Sequence, residues 1–195
     1  MYGRFGKRFL DIAVCLPGSI LLAIPVAVIA VLICLDSKGP AFFIQQRLGR
    51  NGRIFGIWKF RTMQHRIRES TEQIMPDHPE VTGLGKFLRR FKLDETPQLV
   101  NVVIGDMSII GPRPCLPELQ QKFDENGFVR LKVRPGLFGL ADIEGGYYLS
   151  WPQRWVHDRH YVKNLSLWLD LKLAFMALPI ILFDEDYYLK RNKKN

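Results

Sequence analysis

Two carboxylates stand side by side at Asp94 and Glu95, in a stretch from Phe91 to Pro114 that also carries Arg113. A carboxylate can attack phosphorus as a nucleophile or ligate a metal, and two neighbours can divide such roles. Thr96 is placed to cap a helix, Pro97 suits the first helical position and Gly105 is a natural stop. The unpaired N–H groups of a helix start suit a phosphate. On local chemistry alone, the same residues also describe an acidic cap on a surface helix.

The elements that must position this pair flank it on both sides. Leu84, Phe87, Leu88 and Phe91 recur at helical spacing with Lys86, Arg89 and Arg90 on other faces, which predicts a basic amphipathic helix leading into Asp94. Ala41–Leu48 and Ile54–Phe60 are apolar-rich and separated by a segment containing Asn51-Gly52, which suits a type I′ turn and a β-hairpin. The second strand ends in Lys59-Phe60-Arg61, placing two cations near a strand end. Residues 64–82 are polar, contain Pro76 and Pro79, and predict a helix followed by a loop. Residues 116–132 predict one helix, and Arg134–Gly139 a turn-rich loop. Residues 151–163 carry His157 and His160, which can share a helix face, but nothing in the sequence completes a metal site around them.

The chain of 195 residues is 47% apolar, an ordinary value with an unusual distribution. From Ile12 to Leu35, 24 consecutive residues lack a charged side chain. As one helix that run would extend roughly 36 Å, enough for the hydrocarbon core of a bilayer. It is too long for the apolar region of a signal peptide. Pro25, near its middle, removes a helix hydrogen bond and leaves the carbonyl of Leu21 without its donor. Arg4, Lys7 and Arg8 precede the run, and Lys38, Arg47, Arg50 and Arg53 follow it. Cytoplasmic flanks favour such cations, so a helix that enters, bends near Pro25 and leaves by the same face keeps both groups on one side. A proline-kinked span is the competing reading. The last apolar stretch, Leu173–Phe183, has 11 residues and is too short to span. With Trp168 and the closing lysines it reads as interfacial, or alternatively as a core helix with a solvated tail.

The net charge of +9 suits a nucleic acid, an anionic lipid or a phosphorylated substrate. No nucleic-acid motif occurs and aromatic residues do not interleave with the basic ones, which argues against nucleic-acid binding. Three scattered cysteines give neither a disulfide framework nor zinc spacing, consistent with a reducing cytosol.

With these segments in hand, the chain resembles the monotopic bacterial phosphoglycosyl transferases, the bacterial sugar transferase family. The matching motifs run from Lys7-Arg8-Phe9-Leu10-Asp11 through Gly39-Pro40, Gln46-Arg47-Leu48-Gly49, Lys59–Met63, Leu93–Leu99, Asn101-Val102, Gly105–Ser108, Gly111–Pro114 and Arg134-Pro135-Gly136. They continue at Trp151, Asp158, Tyr161 and Asp170. No N-terminal bundle of spans precedes them, so the chain is similar to the minimal, single-domain members. The resemblance implies an α-rich α+β fold: a re-entrant membrane helix broken at Pro25 over residues 1–37, then a cytoplasmic, membrane-associated catalytic domain over 38–195. That domain would hold a β-hairpin and interfacial amphipathic helices. The location implied is the bacterial inner membrane, with the catalytic domain on its cytoplasmic face and lipid as a partner.

The chemistry implied is transfer of a sugar-1-phosphate from a UDP-sugar to undecaprenyl phosphate, with release of UMP. Asp94 would form a covalent phosphosugar intermediate in a ping-pong sequence, with Glu95 supporting it. Mg2+ at Asp94 would be the cofactor, and Arg89, Arg113, Lys59 and Arg61 the phosphate-binding candidates. Phe138, Asp142 and Ile24 depart from the family's usual Thr, Gln and Ser. Two other functions compete: a catalytically silent membrane scaffold for glycan assembly, and a different enzyme acting on polyprenyl phosphates. The sugar, the pathway and the existence of a homo-oligomer are open at this level.

Overall fold

The apolar run folds as two helices, α1 (Lys7–Leu21) and α2 (Ala23–Asp36), which meet at a bend of 56°. The computed structural model describes residues 2–64 and 78–183. Among these, no single helix is long and apolar enough to cross a membrane, and the bent pair meets that test only as a pair. The interruption falls at Leu22, three residues ahead of Pro25, which lies in the first turn of α2. The displacement has a direct cause, because a proline withholds the N–H that the carbonyl four residues earlier would accept. Backbone bonds from Leu22 to Gly18 and from Val26 to Leu22, each 2.9 Å, keep the chain helical on either side. Ile20, Leu21, Ile24 and Leu35 are all more than two-thirds exposed, so the pair presents bare apolar surface.

Strands β1 (Phe42–Leu48) and β2 (Ile54–Phe60) form the antiparallel hairpin, from Phe42 opposite Phe60 to Leu48 opposite Ile54. Asn51 (φ 58°) and Gly52 (φ 76°) are the two left-handed residues that a type I′ turn requires. Side chains alternate along a strand, so Phe55, Ile57 and Lys59 share a face. Phe55 and Ile57 pack with Cys15, Val102 and Met107.

Helix α3 (Gly83–Arg90) begins at Thr82, whose hydroxyl accepts the Gly85 N–H at 2.9 Å. Its apolar residues divide between two directions. Leu88 is buried with Ile33, Ala41 and Phe60, whereas Phe87 and Phe91 point outward with ring centroids 4.9 Å apart. The predicted helix within 64–82 falls mainly on residues 65–77, outside the described residues.

A 3-10 turn over Leu93–Glu95 leads into α4 (Gln98–Ile104), which stops at Gly105 (φ 100°). Thr96 does not cap this helix. Its hydroxyl donates to the Leu93 carbonyl at 2.8 Å, because the chain is already helical at that point. The fastening of α4 comes from Asn101, which is fully buried. Its Oδ1 accepts the Trp58 N–H at 3.0 Å and its Nδ2 donates to the Gly56 carbonyl at 2.8 Å, pairing backbone groups on the outer edge of β2.

Strand β3 (Ser108–Ile110) pairs in parallel with β4 (Gly136–Phe138), so a strand lies inside the predicted loop. The single helix expected over 116–132 is instead a 3-10 stretch (Pro117–Lys122), α5 (Glu125–Val129) and a 3-10 turn (Arg130–Lys132). Asp124 restarts the helix by accepting the Gly127 N–H at 2.7 Å, while Phe123 leaves the helical path to pack edge-on against Trp155. Then follow α6 (Leu140–Glu144), α7 (Trp151–Lys163) and α8 (Leu167–Phe183). On α8, Leu173, Ala177 and Ile180 are buried, while Trp168, Leu171, Phe175 and Leu178 form an exposed apolar face. It therefore serves the core on one side and offers an apolar surface on the other.

Removing the Asn101 amide leaves a backbone donor and a backbone acceptor of β2 without partners. Asn101→Ala is expected to lower stability by about 2–4 kcal/mol, measured by denaturation in detergent or nanodiscs, as leaving two buried polar groups unpaired predicts.

Candidate active site

Lys92 takes a left-handed conformation (φ 52°) that ends α3 and swings the chain into the Leu93–Glu95 turn. Asp94 and Glu95 are both half-buried there. Glu95 Oε1 accepts from Lys59 Nζ at 2.8 Å and from Arg113 Nη2 at 2.5 Å. Asp94 takes part in no ion pair among the described residues, although the charges of Lys59, Arg89 and Arg113 act on it. The two neighbours thus differ in environment. Burial and the adjacent Glu95 charge raise the Asp94 pKa to about 6, against the lowering effect of the three cations. Burial would raise Glu95 too, but the charges of Arg113 and Lys59, the Lys59 hydrogen bond and the Lys92 charge hold it well below the usual carboxylate range.

Each cation has its own support. Lys59 continues the inward face of β2 that Phe55 and Ile57 define, which aims it at the Leu93–Glu95 turn. Arg113 lies on the Gly111–Pro114 strap between β3 and the following 3-10 stretch. Gly111 N–H donates to the Phe138 carbonyl at 2.8 Å and Gly136 N–H to the Pro112 carbonyl at 3.0 Å. That contact is close enough to demand glycine: a Cβ at Gly136 would sit 2.1 Å from the Gly111 nitrogen. Arg130, buried and 3.3 Å from Asp158, donates to the Arg113 carbonyl and braces the strap from behind. Arg89 Nε donates to Thr62 Oγ1 at 2.9 Å, which tethers it beside the turn.

The structure therefore brings Asp94, Glu95, Arg89, Arg113 and Lys59 together and places Arg61 elsewhere. The Arg61 guanidinium is buried against the end of α2, donating to the carbonyls of Ile33 (3.3 Å), Ser37 (2.7 Å), Gly39 (3.3 Å) and Lys38. Its two terminal nitrogens are taken up by those carbonyls, which sets Arg61 apart from the other phosphate-binding candidates. Pro25 is on the helix pair, apart from this cluster. Asp142 accepts the Gly139 N–H at 2.9 Å and lies 3.6 Å from Arg154, in a capping role. The Lys92 ammonium stands 5.7 Å from the centre of the Phe138 ring.

Several contributors escaped the sequence reading of roles. Asn101 and Arg130 were legible only as residue types in a motif or segment, with no spacing that reveals their backbone partners. Arg47, half-buried and under the field of Arg113, is another; burial and that neighbouring charge lower its pKa to about 10.

A metal site of three or more His, Cys, Asp or Glu side chains does not occur among the described residues. Asp94 nevertheless fits Mg2+, because its carboxylate takes no hydrogen bond or ion pair among those residues. Magnesium commonly uses one or two carboxylates and completes its shell with water and substrate phosphates.

The family model described as bacterial sugar transferase matches residues 2–184. The UDP-N-acetylgalactosamine-undecaprenyl-phosphate N-acetylgalactosaminephosphotransferase of Aeromonas hydrophila is 38% identical over 185 residues, covering 91% of this chain and 44% of its own length. The exopolysaccharide production protein ExoY of Sinorhizobium fredii is 33% identical over 202 residues, covering 95% of this chain and 89% of its own. The undecaprenyl-phosphate galactose phosphotransferase of Salmonella typhimurium is 31% identical over 201 residues, covering 95% and 42%. The chain thus spans less than half the length of the Aeromonas and Salmonella relatives and most of ExoY.

The opposed environments of the carboxylates give a pH signature. The ionised Asp94 is disfavoured in the fold, so its cost is absent below the ordinary value of 3.8 and fully present above about 6. Asp94→Asn is expected to be more stable than the parent chain by about 1–2 kcal/mol at pH 8, a figure reduced for partial exposure, with the gap closing by pH 4. Glu95→Gln has the opposite sign: it destabilises at neutral pH, and its effect shrinks progressively as the pH falls below the ordinary value of 4.5. Paired denaturation curves from pH 3.5 to 8 measure both.

Proposed function

The chain belongs to the bacterial sugar transferase family, and on that premise we propose that it moves a sugar-1-phosphate from a UDP-sugar to undecaprenyl phosphate, releasing UMP. The observation that supports this most is the division within the dyad: Glu95 holds Lys59 and Arg113, while Asp94 has no such pairing among the described residues. A nucleophile must keep an accessible lone pair, and Asp94 is the member that does.

In the first displacement an Asp94 oxygen attacks the sugar-bearing phosphorus. The bond from that phosphorus to the bridging oxygen breaks, UMP leaves with the electron pair, and an acyl phosphate links Asp94 to the phosphosugar. In the second, an oxygen of undecaprenyl phosphate attacks the same phosphorus, the bond to Asp94 breaks, and the carboxylate returns. Arg113 and Arg89 bind phosphate oxygens and offset the charge of two approaching anions, while Lys59 stays paired to Glu95. Glu95, held ionised by its partners, orients these cations and is a poor proton donor. Mg2+ bound at Asp94 would supply further charge neutralisation on the diphosphate.

The same reading places the domain on the cytoplasmic face of the bacterial inner membrane with the helix pair re-entrant. Support comes from the fastening of both ends of the pair to one folded unit. Lys7 at the start of α1 pairs with Asp170 of α8 at 2.6 Å, and the end of α2 is held by Arg61 beyond β2. A straight span would carry those ends to opposite sides. The exposed Phe87–Phe91 pair of α3 and the Trp168–Phe175 face of α8 are suited to the interface.

The test is a single-turnover assay of the full chain in nanodiscs with Mg2+ and a panel of UDP-sugars, without acceptor. One donor is expected to give UMP equal to the enzyme present and an intact mass increased by the phosphosugar. Asp94→Asn abolishes both, and Arg113→Ala slows release about 10²–10³-fold, the range for losing one preorganised charge-stabilising donor. Turnover that survives in Asp94→Asn would refute the covalent route.

A further inference from the structure

A cavity of about 240 Å3 opens at the hairpin turn, lined by Arg50, Asn51, Arg53, Gly105, Asp106 and Arg134 among others. It shares no residue with the Asp94 cluster. Helix α4 runs between the two: the catalytic turn precedes it and Gly105 ends it. From Glu95 to Gly105 is ten residues, or about 15 Å at the helical rise. Along β2, Lys59 faces the catalytic turn and Phe55 faces the cavity, about 13 Å apart at the strand rise.

The lining is strongly cationic. Arg50, Arg53 and Arg134 face it against the one carboxylate of Asp106. A fourth guanidinium adjoins it, since a Cβ at Gly105 would lie 3.2 Å from Arg8 Nη2. Arg8 is itself fixed, donating to the carbonyls of Val102 (2.5 Å) and Val103 (2.7 Å), and Arg134 Nε donates to the Gly105 carbonyl at 2.8 Å. Cations gathered this closely repel one another, and burial together with the charges of Arg8 and Arg50 lowers the proton affinity of Arg134. An anion relieves that repulsion, and guanidinium groups favour phosphate through paired N–H bonds. The cavity also lies near the apolar surface. Arg8 precedes the uncharged run that starts at Ile12, and Phe9 beside it is 71% exposed.

We infer that the cavity formed by Arg50, Arg53 and Arg134 is a second phosphate-binding site, separate from the reaction centre. Two sources present that chemistry at this position: the headgroup of an anionic phospholipid, or a free phosphate compound in solution.

The full chain in neutral detergent is titrated with inorganic pyrophosphate and, separately, with dioctanoyl phosphatidylglycerol against dioctanoyl phosphatidylcholine, reading Tm. Arg113→Ala is measured in parallel, because it weakens the reaction centre and leaves this cavity intact. The site is expected to give a saturable rise in Tm that persists in Arg113→Ala. Its apparent Kd should rise about tenfold or more in the Arg50→Gln/Arg53→Gln double variant. Arg50→Lys/Arg53→Lys should retain most of the response, and Lys163→Gln/Lys172→Gln, outside the cavity, all of it. A response to pyrophosphate identifies a free phosphate compound as the source, and one confined to phosphatidylglycerol identifies the lipid. Either supports the site. A response lost in Arg113→Ala, unchanged in the double glutamine variant, equally reduced in the lysine control, or absent with both probes overturns it.

Discussion

Everything at the candidate active site depends on how two adjacent carboxylates share three nearby cations. Placed side by side in a half-buried turn, Asp94 and Glu95 cannot both be stabilised equally, because each raises the cost of ionising the other. The fold resolves this by pairing Lys59 and Arg113 directly with Glu95. Those contacts join three chain segments: the end of β2, the Leu93–Glu95 turn and the strap after β3. Each segment is held from outside the site. Asn101 clasps β2, Arg130 braces the carbonyl of Arg113, and the Gly111–Gly136 contact pins the strap to β4. Asp94 sits in the field of the same cations without an ion pair among the described residues, which suits the nucleophilic role proposed for it.

The helix pair is coupled to this arrangement through buried polar anchors at its two ends. Asp11 of α1 accepts from Ser108 Oγ at 2.9 Å and the Ile109 N–H at 3.0 Å, linking α1 to β3 just ahead of the Arg113 strap. Asp170 receives Lys7, Tyr161 (2.7 Å) and Tyr2 (2.5 Å), tying the same helix to α7 and α8. Arg61 closes the far end of α2 and follows Lys59 by two residues. The apolar element and the catalytic turn are therefore built on the same few strands. A displacement of the helix pair would be transmitted to Lys59 and Arg113 within a few residues of their anchors.

Features governed by short-range rules were legible in the sequence. The Asn51-Gly52 turn set the hairpin and Gly105 stopped α4. The carboxylate pair and its arginines stood out by type and proximity. What escaped depends on partners distant in sequence. Arg61 looks like a phosphate ligand until Ile33 of α2 and the three residues from Ser37 to Gly39 turn their carbonyls to it, and Thr96 looks like a cap until the preceding turn is already helical. Phe87 and Phe91 satisfy helical spacing equally well facing in or out, and only the position of Leu88 against Phe60 settles the direction. The 116–132 stretch lost its single helix to the pull of Trp155 on Phe123.

The unusual residues of the Phe138–Asp142 loop take on separate meanings in this frame. Asp142 is buried, caps the start of α6 through the Gly139 N–H and faces Arg154, so its carboxylate acts within the fold. Phe138 differs, because its ring is 5.7 Å from the Lys92 ammonium, and Lys92 both turns the chain into Asp94 and lowers the pKa of Glu95. An aromatic face attracts a cation and fixes its position without neutralising it. Phe138 thereby tunes where one positive charge sits relative to the dyad. A side chain at this position can shift that positive charge relative to the dyad without touching either carboxylate.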